Sequence, residues 1–194
     1  MNKAKSKGLL IILSGPSGVG KGTLRQEIIN DKSLNLFYSV SMTTRAKRPG
    51  ETEGIDYYYV SKEEFQRNID NGNLLEWAEF VGNRYGTPKD RIDAQLALGK
   101  NVLLEIETKG AQQVLDKCAG PNLVSIFVIP PSLDELEARI RGRGTESDEV
   151  IKERIEKARV EMHKQKLYQY KVVNDDLKRA ANEIASIIHS KMEE

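Results

Sequence analysis

The sequence predicts an α/β fold: a parallel sheet core of about five strands with flanking helices, a small mixed α/β insertion and a mobile lid. Three observations carry this. Short apolar runs alternate with amphipathic stretches, the pattern of strands joined by crossover helices. A glycine-rich loop joins the first apolar run to the first such stretch. From about 43 to 87 the alternation stops and Gly, Arg and Tyr dominate, as an insertion between core strands would require.

Core strands are expected at 9–14, 37–41, 102–106, 123–128 and 171–173. The run from Leu123 to Ile129 is almost continuously apolar, as suits a strand covered on both faces. Helices fit 21–30, 62–71, 89–98, 109–118, 132–141, 148–168 and 175–192. The fifth starts at a capping box, Ser132 followed by Glu135, directly after Pro130 and Pro131. The resulting domain covers 8–187, with core segments 8–40 and 101–192, an insertion at about 41–88 and a lid at about 141–154, where Gly142 and Gly144 break a helical region. No repeat or low-complexity segment interrupts it.

Composition narrows the function. The 194 residues are 39% apolar and 30% charged, enough to bury a core and unlike a disordered chain. Thirty basic residues against 29 acidic give a net charge of +1, so no global field points to nucleic acid or a membrane surface, and any phosphate recognition is local. One cysteine, Cys118, excludes an internal disulfide framework and a multi-cysteine metal site, and two histidines, His163 and His189, argue against a His-rich one. No apolar run approaches the roughly 20 residues that span a bilayer. The basic start before Gly8 reads as a solvated tail on a cytoplasmic protein.

Gly15-Pro16-Ser17-Gly18-Val19-Gly20-Lys21 matches a phosphate-binding loop from its first glycine to its lysine. Glycines let backbone N–H groups turn onto phosphate oxygens, the following helix N-terminus adds a positive dipole end, and Lys21 is placed for the β/γ-phosphates. Gly22 stands where the pattern has Ser or Thr, and Thr23 follows, so the magnesium contact falls to Thr23, Ser17 or water. The bland alternative is a glycine-rich strand-to-helix turn. In the insertion, Arg45 and Arg48 lie three residues apart near Tyr57, a pattern for a second phosphate, although such a cluster alone also describes a solvated basic turn.

Several motifs in order resemble the guanylate kinase family. They are Ser-Gly-Pro-Ser-Gly-Val-Gly-Lys-Gly-Thr at 14–23, Ser-Val-Ser-Met-Thr-Thr-Arg at 39–45 with Arg-Pro-Gly-Glu at 48–51, and Leu-Leu-Glu-Trp-Ala-Glu-Phe at 74–80. Further on stand Gly-Asn-Arg-Tyr-Gly-Thr at 82–87, Leu-Glu-Ile-Glu at 104–107, Ile-Pro-Pro-Ser at 129–132, Arg-Gly-Arg-Gly-Thr at 141–145 and Val-Asn-Asp-Asp at 173–176. The resemblance covers about 8–187 and implies a phosphate-loop kinase fold that phosphorylates GMP to GDP with ATP and Mg²⁺, serving GMP recycling and guanine nucleotide supply. Its substrates would be these two small molecules, with no nucleic acid or membrane partner. It assigns the ATP phosphates to residues 15–23 and the adenine side to Asn174. It gives Arg45, Arg48, Tyr57 and Tyr85 the GMP phosphate, and the guanine edge to Glu76, Ser41 and Thr87. Glu76 would accept from N1–H and the exocyclic amine, and the two hydroxyls would donate to O6. Adenine shows the opposite pattern at these positions, so such a site discriminates strongly.

Glu105 and Glu107 close a core strand at the edge where α/β sheets bind ligands and are expected on its two faces. The resemblance implies that they belong to the GMP site, one near guanine or ribose and one near metal and phosphates. Lys109 departs from the glutamine frequent in the family. Phosphoryl transfer needs alignment and charge stabilisation rather than a covalent protein intermediate, and the resemblance gives that work to Lys21, Arg143 and Arg154, with Arg139 and Arg141 left as surface charges. Trp77 reads as packing, Tyr58 as facing away from Tyr57, Cys118 as inert, and the charged face of 148–166 as exposed apart from Arg154. Two other classes are weighed. Catalytically silent relatives act as protein-binding modules but typically lack the phosphate loop, whereas Lys21, Arg143 and Arg154 are present. An adenylate or shikimate kinase leaves Ser41, Arg45, Arg48, Tyr57, Glu76 and Tyr85 unexplained as a set.

Overall fold

The computed structural model describes residues 7–80, 82–142 and 147–194. In chain order the first elements are β1 (Leu10–Ser14), α1 (Lys21–Ile29), β2 (Leu36–Tyr38), β3 (Met42–Thr43), β4 (Tyr58–Tyr59) and α2 (Lys62–Asp70). Then come β5 (Leu74–Phe80), β6 (Asn83–Pro88), α3 (Lys89–Ala97), β7 (Asn101–Glu105) and α4 (Thr108–Lys117). The chain closes with β8 (Leu123–Ile129), α5 (Leu133–Arg141), α6 (Asp148–Met162), β9 (Tyr170–Val173) and α7 (Leu177–Glu193).

The five apolar runs form one parallel sheet in the order β2-β7-β1-β8-β9. Every residue of β1 is buried, because alternate side chains serve two cores. Ile11 and Leu13 join Leu24, Ile28, Leu136, Ile140, Ile155 and Ile184 from α1, α5, α6 and α7 on one face. Leu10 and Ile12 join Ile92, Leu96, Ala111 and Val114 from α3 and α4 on the other. Ser132 caps α5 by accepting from the Glu135 N–H at 3.0 Å, as its capping box requires. Two elements are shorter than their patterns suggest. β2 stops at Tyr38: the Ser39 N–H makes a last bond to the Leu103 carbonyl at 3.0 Å, and Ser41 turns to the insertion, its carbonyl accepting from the Tyr58 N–H at 2.9 Å. The last turn of the expected 148–168 helix is instead a tight 3-10 segment, His163–Leu167, which delivers Tyr168 onto Phe127 with ring centroids 5.0 Å apart.

The insertion builds a second sheet, β4-β3-β6-β5, with one helix, α2. β3 pairs β4 in parallel, and the other pairings are antiparallel. The register slips between Leu74 and Glu76, so Leu75 and Glu76 are both buried although they are neighbours. Such an irregularity re-aims one side chain, here Glu76. The outer edge of β5 rests on α4: Lys117 Nζ donates to the Leu75 carbonyl at 3.0 Å and Gln113 Nε2 to the Trp77 carbonyl at 2.6 Å. Among the described residues no helix is long and apolar enough to cross a membrane.

Candidate active site

The loop after β1 meets the N-terminus of α1 at the carboxyl edge of the parallel sheet. Gly15 and Gly20 have φ of 150° and 98°, where a side chain is strained, and a Cβ would lie 2.5 Å from the Val128 carbonyl oxygen or 2.6 Å from Asn174 Nδ2. Lys21 folds back over this loop, its Nζ donating to the carbonyls of Gly15 (2.8 Å) and Pro16 (3.2 Å) and lying 3.6 Å from Glu107 Oε1. Pro16 and Val19 are buried, Ser17, Gly18 and Gly22 are half-buried, and Thr23 is exposed on α1. Asn174, which the resemblance puts on the adenine side, lies directly after β9. It is 7% exposed and its amide donates to the Val19 carbonyl at 2.8 Å, so here it braces the loop from behind.

One pocket of about 360 Å³ runs from Lys21 to the insertion, and Ser41, Arg45, Arg48, Tyr57, Glu76 and Tyr85 all line it. Tyr57 packs edge-on to Tyr85 (5.9 Å), and the Arg45 guanidinium lies 5.3 Å from the Tyr57 ring centre. Tyr58 turns to the opposite side and meets Arg91, as strand alternation demands. Glu51 organises this cluster: its Oε1 takes Arg45 at 2.6 Å, and its Oε2 accepts from the Arg48 backbone N–H (2.8 Å) and the Tyr59 hydroxyl (2.7 Å). The Arg45 guanidinium holds the Glu51 carboxyl down at about 2, so the pair stays ionic at neutral pH.

Glu76 is 4% exposed, and burial pushes its carboxyl up to about 7. The Thr87 hydroxyl, expected to serve a ligand directly, donates to Glu76 Oε1. Gly110, in the first turn of α4, makes room for this carboxylate: a Cβ there would lie 2.0 Å from Glu76 Oε2. Gly110→Ala is therefore expected to displace Glu76, lower stability by about 1–3 kcal/mol and raise the KM for the acceptor nucleotide more than it lowers kcat. A melting curve and steady-state kinetics check both effects; an unchanged KM would separate Gly110 from the site.

Glu105 and Glu107 do not sit on two faces of a strand. β7 ends at Glu105, residues two apart in a strand share a face, and Glu107 is the residue that opens α4. Arg25 Nε lies 3.2 Å from Glu105 Oε2 and its guanidinium stacks 4.2 Å above the Tyr38 ring. Burial raises the Glu105 carboxyl while Lys21 and Arg25 pull it back. A Cβ on Gly22 would stand 3.5 Å from Glu105 Oε1, so the position that usually carries a hydroxyl faces a carboxylate.

Arg154 lines the same pocket from α6, with Lys157 and Glu161 on the same helical face. Lys157 Nζ lies 3.8 Å from the Phe80 ring centre, linking α6 to the end of β5. Arg141 is exposed and pairs with Glu137 at 2.7 Å and with Asp148. Arg143 lies outside the described residues, as do 144–146 of the expected lid. Lys109 also borders the pocket, while Trp77 packs under Arg84 at 5.8 Å. Cys118 is half-buried, and burial pushes its thiol up, away from reactivity.

The residue pattern missed Arg25, Tyr38, Glu51 and Glu161. Glu51 carried a signal, since it closes the Arg-Pro-Gly-Glu turn within hydrogen-bonding reach of two arginines. Glu161 carried none, because Lys157 and Glu161 read as an ordinary exposed i,i+4 pair.

Comparison with known proteins adds to this geometry. A family model described as guanylate kinase matches residues 7–191. A guanylate kinase of Mesoplasma florum is 53% identical over 184 residues, 95% of this chain, which spans 61% of that relative's length. A guanylate kinase of Malacoplasma penetrans is 48% identical over 192 residues, covering 99% of this chain and 98% of its own. The crystal structure of a guanylate kinase from Anaplasma phagocytophilum superposes with a TM-score of 0.80 at 36% identity, covering 96% of this chain and 87% of that one.

Proposed function

The chain belongs to the guanylate kinase family, and from that premise we propose that it transfers the terminal phosphoryl group of ATP to GMP, giving ADP and GDP, and so supplies guanine nucleotide by recycling GMP. One observation carries the reading: a single pocket is bordered by the phosphate-loop lysine, by the Arg45–Tyr57–Tyr85 cluster and by the buried carboxylate of Glu76. A nucleoside monophosphate fits that sequence of chemistries, with base at the carboxylate, phosphate at the arginine and donor beyond it.

The roles follow from chemistry. Residues 15–23 cradle the ATP phosphates, the non-proline positions of the loop offering backbone N–H groups, and Lys21 leaves its loop carbonyls to neutralise charge on the transferring group. Arg45, Arg48, Tyr57 and Tyr85 hold the acceptor phosphate, Arg45 being pre-oriented by Glu51. Glu76, steadied by Thr87, accepts from the guanine N1–H and amine, and Ser41 donates to O6. Arg154 faces the phosphates from α6, joined by Arg143 when the 141–154 segment closes over both nucleotides. Among the described residues no group of three or more His, Cys, Asp or Glu is arranged to hold a metal ion, so magnesium would take most of its ligands from phosphate and water, with Thr23 or Ser17 the nearest hydroxyls of the loop. Bound there, it would neutralise phosphate charge.

The test is ADP release from Mg-ATP with GMP, AMP, CMP and UMP offered separately. Turnover with GMP alone is the expected result. A folded protein that turns over none of them would overturn the reading in favour of a protein-binding module.

A further inference from the structure

Glu161 sits on α6 at the floor of the pocket, 4% exposed, in a molecule where buried carboxylates are rare. Its Oε1 takes the Thr108 hydroxyl at 3.3 Å and lies 3.7 Å from Lys157 Nζ. Its Oε2 is buried and makes no close hydrogen bond among the described residues, the Ser17 backbone N–H being the donor that approaches the carboxylate, and Oε2 of Glu107, which lines the same pocket, is likewise without a partner. Buried polar atoms without a partner are costly, and each calls for an explanation. Glu107 has its cation in Lys21, 3.6 Å away. That lysine is the group ATP draws off. When it turns to the phosphates, two inward-facing carboxylates confront a polyanion with less positive charge between them, an arrangement that needs a compensating cation.

We propose that Glu161 is an outer-shell positioning residue for the magnesium ion that accompanies the nucleotide, its free Oε2 accepting hydrogen bonds from the ion's hydration water together with Oε2 of Glu107. The proposal rests on the kinase reading. The donor set suits the ion: carboxylate oxygens are hard, and magnesium keeps several waters while binding phosphates. Groups beyond the direct ligands orient a metal's ligands and water, and their loss typically weakens metal affinity about 10- to 100-fold. Thr108 and Lys157 hold the carboxylate at its other oxygen, leaving Oε2 of this pocket-lining residue the one with acceptor capacity to spare. Placed on α6, Glu161 would also report the ion's presence to the helix that carries Arg154.

The experiment measures ADP binding by titration calorimetry, once with magnesium chloride and once with EDTA, for the unaltered chain and for Glu161→Gln. The unaltered chain is expected to bind ADP more tightly with magnesium. In Glu161→Gln that magnesium-dependent gain should shrink by about tenfold, with EDTA affinity equal or better because a buried negative charge has gone. A gain unchanged within about twofold overturns the proposal. If the unaltered chain binds no ADP in either buffer, the kinase reading itself fails, which is a different result. Circular dichroism establishes that Glu161→Gln folds. If it does not, Glu161→Asp, which keeps the charge but draws it back by one methylene, is titrated instead, and an undiminished gain there also overturns the proposal.

Discussion

Lys21→Ala lowers kcat by about two to three orders of magnitude, the usual loss when one preorganised charge-stabilising group is removed from a reaction of this kind, while the protein keeps its fold. The lysine is buried, yet it and its partner Glu107 border an open pocket that water can enter, and its other partners are two loop carbonyls. Truncation therefore costs about 1–2 kcal/mol of stability, a melting shift of a few degrees, and the loop geometry persists because the glycines and the Asn174 brace set it. A coupled assay beside a thermal melt separates the two quantities. Near-normal turnover in a folded variant would remove the phosphate-loop assignment. Collapse of the fold would mean that the lysine is chiefly structural.

Glu76 gives the second large effect, and its sign can be worked out. Its carboxyl titrates near 7 in the folded protein against an ordinary value of 4.5, because burial penalises the charge. Between those values the folded state binds more protons than the unfolded state, so stability falls as pH rises from about 4.5 to 7 and levels off above, by at most about 3 kcal/mol. Guanine moves the other way: its two donors need the ionised carboxylate, so kcat/KM for GMP climbs about tenfold per unit as pH rises toward 7 and then flattens. Glu76→Gln removes the stability slope and the pH dependence together, and cuts kcat/KM for GMP by about 10- to 150-fold, the worth of a charged hydrogen bond replaced by a mismatched amide. An unchanged kcat/KM in the variant would take Glu76 out of the base site.

The parts of this molecule that the sequence made legible are those governed by local pattern. β1, β7 and β8 are apolar runs because both faces of the sheet are covered, and the phosphate loop is legible because its glycines answer a backbone requirement. The insertion was harder. β3 and β4 have two residues each, and only their partners make them strands. The slip that turns Glu76 inward next to buried Leu75 leaves no alternation to read. Glu107 escaped for a related reason, since the strand ends two residues before it and a helix begins. Asn174 and Glu161 owe their environments to contacts 155 and 53 residues away along the chain, which no window of sequence contains.

The seam between α4 and the outer edge of β5 has a consequence for how copies of this chain behave together. An edge strand offers unpaired N–H and C=O groups on which another chain can extend the sheet, a route to aggregation. Here Lys117 and Gln113 occupy the carbonyls of Leu75 and Trp77, and Gln113 Oε1 also takes the Trp77 N–H at 3.3 Å. The contacts that moor the acceptor half to the core thus also deny a second molecule its template along this edge, so attachment and edge protection rest on the same two side chains.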